Sequence, residues 1–403
     1  MPETHAALAI HGGPRVRPSR MPARLAFAED AAVVRDVFEL YAARGLDPGY
    51  QGEFERRYTD AFARWLGGGF ADAVSTGSAA LFVALAAMEL PAGSHVLVSP
   101  VTDPGTISAI ILNRLVPVLM DSAPGSCNTG FDQFIARVTP ATRAVVVVHA
   151  SGTAAEIDRI APAGRERGLL VLEDCSQAHG ARRAGRLAGT FGDLAAFSTM
   201  YRKAHATGGS GGVVFTRDET LFHRVRAHAD RGKPSWRADF DEKDPRTFLG
   251  PALNFNLDEI SCAIGERSLA RLDRTIARRL AFVYALRDRL AASSRACAGT
   301  RTGPDDSPFY YPVRVDARRI SCGKQAFAEA VRAEGIDLNP DYRYVVAEWP
   351  WARSYLAGDV STPNAVAWRE SHFNILLNER YGEQEVEDIA AAIAKVESVY
   401  ARP

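Results

Sequence analysis

From Ala71 onward, short apolar runs rich in β-branched residues alternate with stretches of helical pattern, and this alternation limits the fold more than any other feature. Strands are expected at His95–Pro100, Pro117–Asp121, Ala144–Ala150, Leu169–Asp174, Leu194–Thr199 and Gly212–Thr216. Helices are expected between them at Ser78–Glu89, Thr106–Arg114, Phe131–Val138 and Ala155–Arg167. Strands that stay apolar throughout, with helices between them, belong to a sheet buried on both faces, which is therefore mostly parallel.

The 403 residues suffice for a large core and two domains. The first fifty, rich in Arg, Pro and Ala, read as an arm and a short helix. The charged segment Lys233–Gly250, with Pro234 and Pro245, reads as a surface loop. Leu257–Leu290 is a long Ala/Arg/Leu helical stretch that could cross from one domain to the next. A strand at Phe309–Val315, a helix at Gly323–Ala333 and an amphipathic helix at Glu383–Tyr400 suggest a smaller C-terminal α/β domain. The expected division is a large domain over residues 1–265, including an arm over 1–50, and a linking helix with a small domain over 266–403.

Charge and cysteine content exclude several classes. Lys plus Arg and Asp plus Glu each number 48, so the net charge is zero, which argues against nucleic acid or a membrane surface as the main partner. The five cysteines are scattered, with no CxxC pair, as expected of reduced thiols in a cytoplasmic protein without a structural zinc or other metal site. No secretory leader is expected, because Met1–Arg20 lacks a continuous apolar core of the required length, and no apolar run approaches membrane-span length. Only five of the 48 basic residues are lysines, so chemistry that needs a primary amine has few candidates.

Three segments carry chemistry. In Ser75-Thr76-Gly77-Ser78-Ala79-Ala80-Leu81, small residues open an apolar helix, whose free N–H groups and a hydroxyl make a phosphate site; a simple helix cap is the plainer alternative. In Val171-Leu172-Glu173-Asp174, a carboxylate ends a buried strand, where α/β sheets place ligands, unless Asp174 only caps a helix. Such a carboxylate can keep the pyridine nitrogen of pyridoxal 5′-phosphate (PLP) protonated. Lys203 follows the strand that ends in Phe197-Ser198-Thr199 and precedes a loop of small residues, Thr207 to Gly212. A lysine there can form an imine if desolvation or a nearby cation such as Arg202 lowers its pKa; a solvated surface lysine is the alternative. The order phosphate loop, strand-end Asp, strand-end Lys is the layout of a fold-type I PLP enzyme.

From about Gly52 to the C-terminus the sequence resembles the DegT/StrS sugar aminotransferase family. The resemblance rests on Gly52-Glu53-Phe54-Glu55, Gly77–Leu81, Leu172–Gly180, Phe197-Ser198, Lys203, Leu253-Asn254-Phe255 and Ile260–Gly265. It implies the fold-type I PLP transferase architecture, an α/β fold with a mainly parallel, seven-stranded-type sheet between helices. It also implies amination of a keto-sugar, nucleotide-linked, or a keto-cyclitol, with glutamate or glutamine as donor. By the resemblance Lys203 is the Schiff-base lysine and Asp174 pairs with the pyridine nitrogen. Gln177 sits near the ring's phenolic oxygen, and Gly77, Ser78 and Ser198 hold the phosphate. Asn254 matches a residue that reaches the phosphate of the neighbouring subunit, which implies a homodimer with shared sites.

The sequence also departs from the family. Gly208–Gly212 is one residue longer than the usual Gly-Glu-Gly-Gly and lacks its Glu, and Asn256 stands where an Arg is usual. Pro100–Gly105 offers no aromatic to cover the ring, which leaves that place to Thr102 or Pro104. His149 and His179 are either substrate contacts or structural histidines, and the clusters Tyr342-Arg343-Tyr344 and Trp349-Pro350-Trp351 are packing or a substrate edge. Arg278-Arg279 reads as a solvated helix face. The rival functions are a different PLP reaction on the same scaffold and a non-catalytic homologue. The family's sugar dehydratases carry His in place of the lysine, so Lys203 argues against that subclass.

Overall fold

The computed structural model describes residues 7–402. After a first helix, α1 (Ala31–Ala43), the larger layer runs through α2 (Glu53–Trp65), β1 (Phe70–Val74), α3 (Gly77–Ala87), β2 (His95–Val98), α4 (Pro104–Leu112) and β3 (Val116–Leu119). It continues through α5 (Phe131–Ile135), β4 (Thr142–Val148), α6 (Ile157–Glu166) and β5 (Leu170–Asp174). A small hairpin, β6 (Arg182–Arg183) and β7 (Arg186–Leu187), precedes β8 (Leu194–Ser198), β9 (Gly212–Thr216) and α7 (Glu219–Ala229). The seven-stranded sheet has the order β1-β9-β8-β5-β4-β2-β3. The pairs from β8 across to β3 are parallel, whereas β9 runs antiparallel to both β8 and β1. The expected mainly parallel sheet is thus present, with one reversed strand. That strand returns through the glycine-rich loop after Lys203 without a crossover helix.

Side-chain alternation explains why both faces are apolar. Ala144 and Val146 of β4, Leu172 of β5, and Leu194 and Ala196 of β8 face α3, α4 and α7. Their neighbours Val145, Val147 and Val171 pack against α5 and α6, and Ala195 and Phe197 pack against α2. Helix α3 lies directly on the sheet and is buried around most of its circumference, which suits its nearly uncharged sequence.

The long helical stretch is two helices, α8 (Glu259–Ala270) and α9 (Leu272–Ser293). The break falls at Arg271, whose guanidinium grips Asp30 at 2.8 and 2.6 Å and the carbonyl of Ala26 at 3.0 Å. Beyond it lie β10 (Cys297–Gly299), β11 (Tyr310–Val315), α10 (Lys324–Ala333), β12 (Leu338–Asn339), α11 (Pro363–Ser371), β13 (His372–Leu376) and α12 (Glu383–Tyr400). The strands form a second sheet of order β10-β11-β13-β12, antiparallel throughout. Its core joins α9, α10 and α12 and also takes in Leu8 and Met21, so part of the N-terminal arm packs on the C-terminal sheet.

Close backbone contacts tie the C-terminal part to the first sheet. Thr102 N–H donates to the Tyr344 carbonyl and Val346 N–H to that of Pro100. Gly152, at φ 93°, lies so close to Ser307 that a Cβ would sit 1.9 Å from its carbonyl oxygen. No helix among the described residues is long and apolar enough to cross a membrane.

Candidate active site

The alternation that builds the core also gathers the site. Asp174 follows Leu172 by two positions and Ser198 follows Ala196 by two, so both face the α3–α4 side at the C-terminal ends of adjacent parallel strands. Asp174 is buried. Its Oδ2 accepts from Thr106 Oγ1 at 3.0 Å and its Oδ1 from Ser176 N–H at 3.1 Å. Thr102 Oγ1 donates to Thr106 Oγ1 at 2.7 Å. The hydroxyl of Thr102 is therefore spent on the chain that orients Asp174, and Pro104 is the first residue of α4.

Lys203 stands in the irregular loop after β8, with 8% of its surface exposed. Its Nζ lies 4.3 Å from the centre of the Phe309 ring. Burial lowers its pKa to about 8 from the ordinary lysine value, against the opposing pull of Asp174 and then Asp103. Near pH 8 the amine is therefore half neutral, as an imine-forming lysine requires.

The N-terminus of α3 closes the same edge. Thr76 Oγ1 accepts from Ala79 N–H at 2.9 Å, and the N–H groups of Gly77 and Ser78 precede the first intrahelical bond. A Cβ on Gly77 would fall 2.4 Å from Ser198 Cβ, so only glycine lets the helix end meet the strand end. Ser78 is exposed at the second turn position, beside Gly105. The loop behind is held by Thr199 Oγ1 and Thr207 Oγ1, 2.7 Å apart, and by Ser210 Oγ donating to the Ser75 carbonyl at 3.0 Å. Phe255 O accepts from Ser75 N–H at 2.7 Å, which sets Asn254 near this corner, exposed, with its Oδ1 accepting from Asn256 N–H and Nδ2.

Gln177 bridges two regions: its Oε1 accepts from Ser151 N–H at 2.9 Å and its Nε2 donates to Tyr342 Oη at 3.2 Å. Tyr342 in turn stacks on Tyr344 and leans on Tyr310. His179 is elsewhere. Its ring is 1% exposed and packs between Phe197 and His205 on the α2 face, where burial lowers its pKa well below the usual histidine range. This corrects its candidacy as an open substrate contact. His149 is structural: its Nδ1 accepts from Ala155 N–H, so Nε2 carries the proton toward Glu173 at 3.0 Å. His149, Glu173 and Cys175 have metal-ligand donor types. The Glu173 oxygens, however, already accept from the N–H groups of Gly189, Phe191 and Gly192.

The model of the DegT/DnrJ/EryC1/StrS aminotransferase family matches residues 40–394. The chain belongs to this family. It is 32% identical to the L-glutamine:scyllo-inosose aminotransferase of Streptomyces griseus, over 82% of the chain and 79% of that protein. A 38% identical match to protein MosB of Rhizobium meliloti covers 47% of the chain but only 37% of MosB. The solved aminotransferase of Psychrobacter cryohalolentis superposes with a TM-score of 0.83 at 25% identity, covering 96% of this chain and 99% of that one.

Against the DegT/StrS pattern, the missing Glu after the lysine leaves Ser210 as the side chain that ties the glycine-rich loop to Ser75. Three further residues at the site were not singled out for it in the sequence: Thr106, Phe309 and Arg24. Thr106 had a weak signal, four residues after Thr102 on a helix start. Phe309 and Arg24 had none, because both arrive from distant segments. Arg279, read as part of a solvated face, is instead 1% exposed, and its Nη2 meets Glu379 at 3.0 Å.

A folded-state pKa of about 8 has a signed consequence. Between there and the free lysine value the unfolded chain holds a proton that the folded chain lacks, so this residue's contribution to stability rises with pH across that window. Reactivity follows the same titration. Capture of PLP by the apoprotein, followed as growth of a visible absorption band, should increase with pH around a midpoint near 8. A midpoint near that of a free lysine, about 10.4, would contradict the buried amine.

Proposed function

We propose that the chain transfers an amino group from L-glutamine or glutamate to the keto group of a cyclitol or nucleotide-linked sugar, with PLP held on Lys203. The observation that carries this reading is the convergence of a buried, partly neutral lysine, a fixed buried carboxylate and a helix N-terminus at one sheet edge. The donor and acceptor classes are supported by the name of the Streptomyces griseus relative.

The residues fit the cofactor. The Gly77–Ser198 contact leaves the first N–H groups of α3 and the hydroxyls of Ser78 and Ser198 as the phosphate cradle. When bound, PLP supplies an electron sink for the carbanion formed at the donor's α-carbon. Asp174, oriented by Thr106 and Ser176, would hold the pyridine nitrogen in its protonated form. Gln177 would face the ring's phenolic oxygen, and its bond to Tyr342 would put the Tyr342 hydroxyl at the substrate edge. With the cofactor bound, the Lys203 Nζ would be the group that takes the donor's α-proton and hands it on within the site. Phe309 screens that amine from water. Asn254, exposed beside the phosphate corner, would reach the partner's phosphate in a homodimer. The five cysteines are all free, which accords with the proposed cytoplasmic location.

Incubation of the PLP-loaded protein with L-glutamine, without acceptor, should bleach the visible band and release the corresponding keto acid. Asp174→Asn should keep the cofactor but slow this half-reaction by about 100-fold or more, because an amide cannot hold the pyridinium proton. A wild-type rate in that variant would show that another group tunes the ring.

Sharing of sites is tested by mixing. Asn254→Ala and Lys203→Ala homodimers should each be weak or dead. Heterodimers would contain one doubly defective and one intact site, so activity should recover toward half of wild type. Heterodimers as inactive as their parents would place Asn254 in its own subunit's site.

A further inference from the structure

The loop that carries Lys203 has few bonds of its own. Residues 200–206 form no regular element, and Lys203 N–H to the Met200 carbonyl is a single turn bond. Three carbonyls of this loop converge on one guanidinium from the N-terminal arm. Arg24 donates to the carbonyls of Tyr201 at 2.8 Å, of Lys203, and of Ala204 at 2.9 Å. Its Nε donates to Glu379 Oε1 at 2.8 Å. The other oxygen of Glu379 accepts from Arg279 at 3.0 Å, and Arg279 Nη1 donates to the Pro308 carbonyl at 3.2 Å. Pro308 immediately precedes Phe309, whose ring covers the Lys203 amine.

We infer that Arg24 is a positioning residue for Lys203, and that through Glu379 and Arg279 it sets both the backbone beneath the lysine and the aromatic ring above it. This rests on the reading of Lys203 as the cofactor lysine. The physical reason is the shape of the donor. A planar guanidinium can hold several diverging carbonyls and a carboxylate at once, whereas a lysine ammonium at the same place is a point donor on a flexible stem. All four polar contacts of Arg24 go to groups that frame Lys203, and none goes to the Asp174 side of the site. With Arg24 removed, the loop loses its anchor to Glu379. The amine would then leave the cover of Phe309 and regain water, and its pKa would climb back toward the ordinary value.

The test compares apoproteins of wild type, Arg24→Gln and Arg24→Lys, with Lys203→Ala as control. Each is mixed with PLP across a range of pH, the product is reduced with borohydride, and the pyridoxyl label on peptides is quantified. Amide hydrogen exchange is followed in peptides spanning residues 199–207. For Arg24→Gln the midpoint of capture should rise by about one unit, so that capture at pH 7 falls about tenfold, and exchange in the loop should quicken. Arg24→Lys should fall between the two. If Arg24→Gln does not fold, Arg24→Lys decides by the same two readouts. A lowered melting temperature with an unmoved midpoint and unchanged loop exchange would mean a purely structural role and overturn the inference. If wild type is labelled on Lys203 and both Arg24 variants match it, the inference alone fails. If wild type is not labelled on Lys203, the reading of that lysine fails and the inference falls with it.

Discussion

Two arginines share one carboxylate where the N-terminal arm meets the lysine loop. Glu379 meets Arg24 with one oxygen and Arg279 with the other, at a place where Arg279 has almost no contact with solvent. Burial pulls the Arg279 pKa down to about 10, against the pull of Glu379. Such an arrangement is tolerable only if the remaining donors are satisfied, because an uncompensated buried charge costs about 3–5 kcal/mol. Here they are met by backbone carbonyls of Tyr201, Lys203, Ala204 and Pro308. The polar cluster therefore joins the N-terminal arm, the lysine loop, α9, the turn after β13 and the approach to β11, and the site lies where these pieces meet.

The large sheet supplies the other half of the site through parity. Consecutive residues of β5 point to opposite faces, so Glu173 and Asp174 have different tasks. Glu173 goes to the α6 side, where His149 and three backbone N–H groups hold it as a structural carboxylate. Asp174 goes to the α3 side, where Thr106 and Ser176 leave it oriented at the strand ends. A shift of one residue in β5 would exchange the two, which is why the register of a fully buried strand matters to chemistry as well as to packing.

The buried strands and the helices between them were legible because their signal is local: unbroken β-branched runs such as Val145–Val148 have no other place to go. The family motifs were legible for the same reason, each lying within a few residues. Features set by long-range partners were not. The break at Arg271 depends on Asp30, 241 positions away. The burial of Arg279 depends on Glu379, and the role of Arg24 on carbonyls almost 180 residues on. The reversal of β9 is a property of a loop path, and short strands such as β12 carry too few residues for a pattern. His179 misled because it sits next to the Asp motif in sequence while its ring turns to the opposite face.

The proposed chemistry depends on Lys203. Among five lysines it is the one held with a lowered pKa at the strand ends, opposite Asp174 and beside the α3 N-terminus. The most direct test is borohydride reduction of the purified, PLP-equilibrated protein, followed by proteolysis and mass spectrometry of the peptides. One pyridoxyl group per chain is expected, on Lys203. A label on Lys233 or another lysine, or none after prolonged equilibration with PLP, would contradict it.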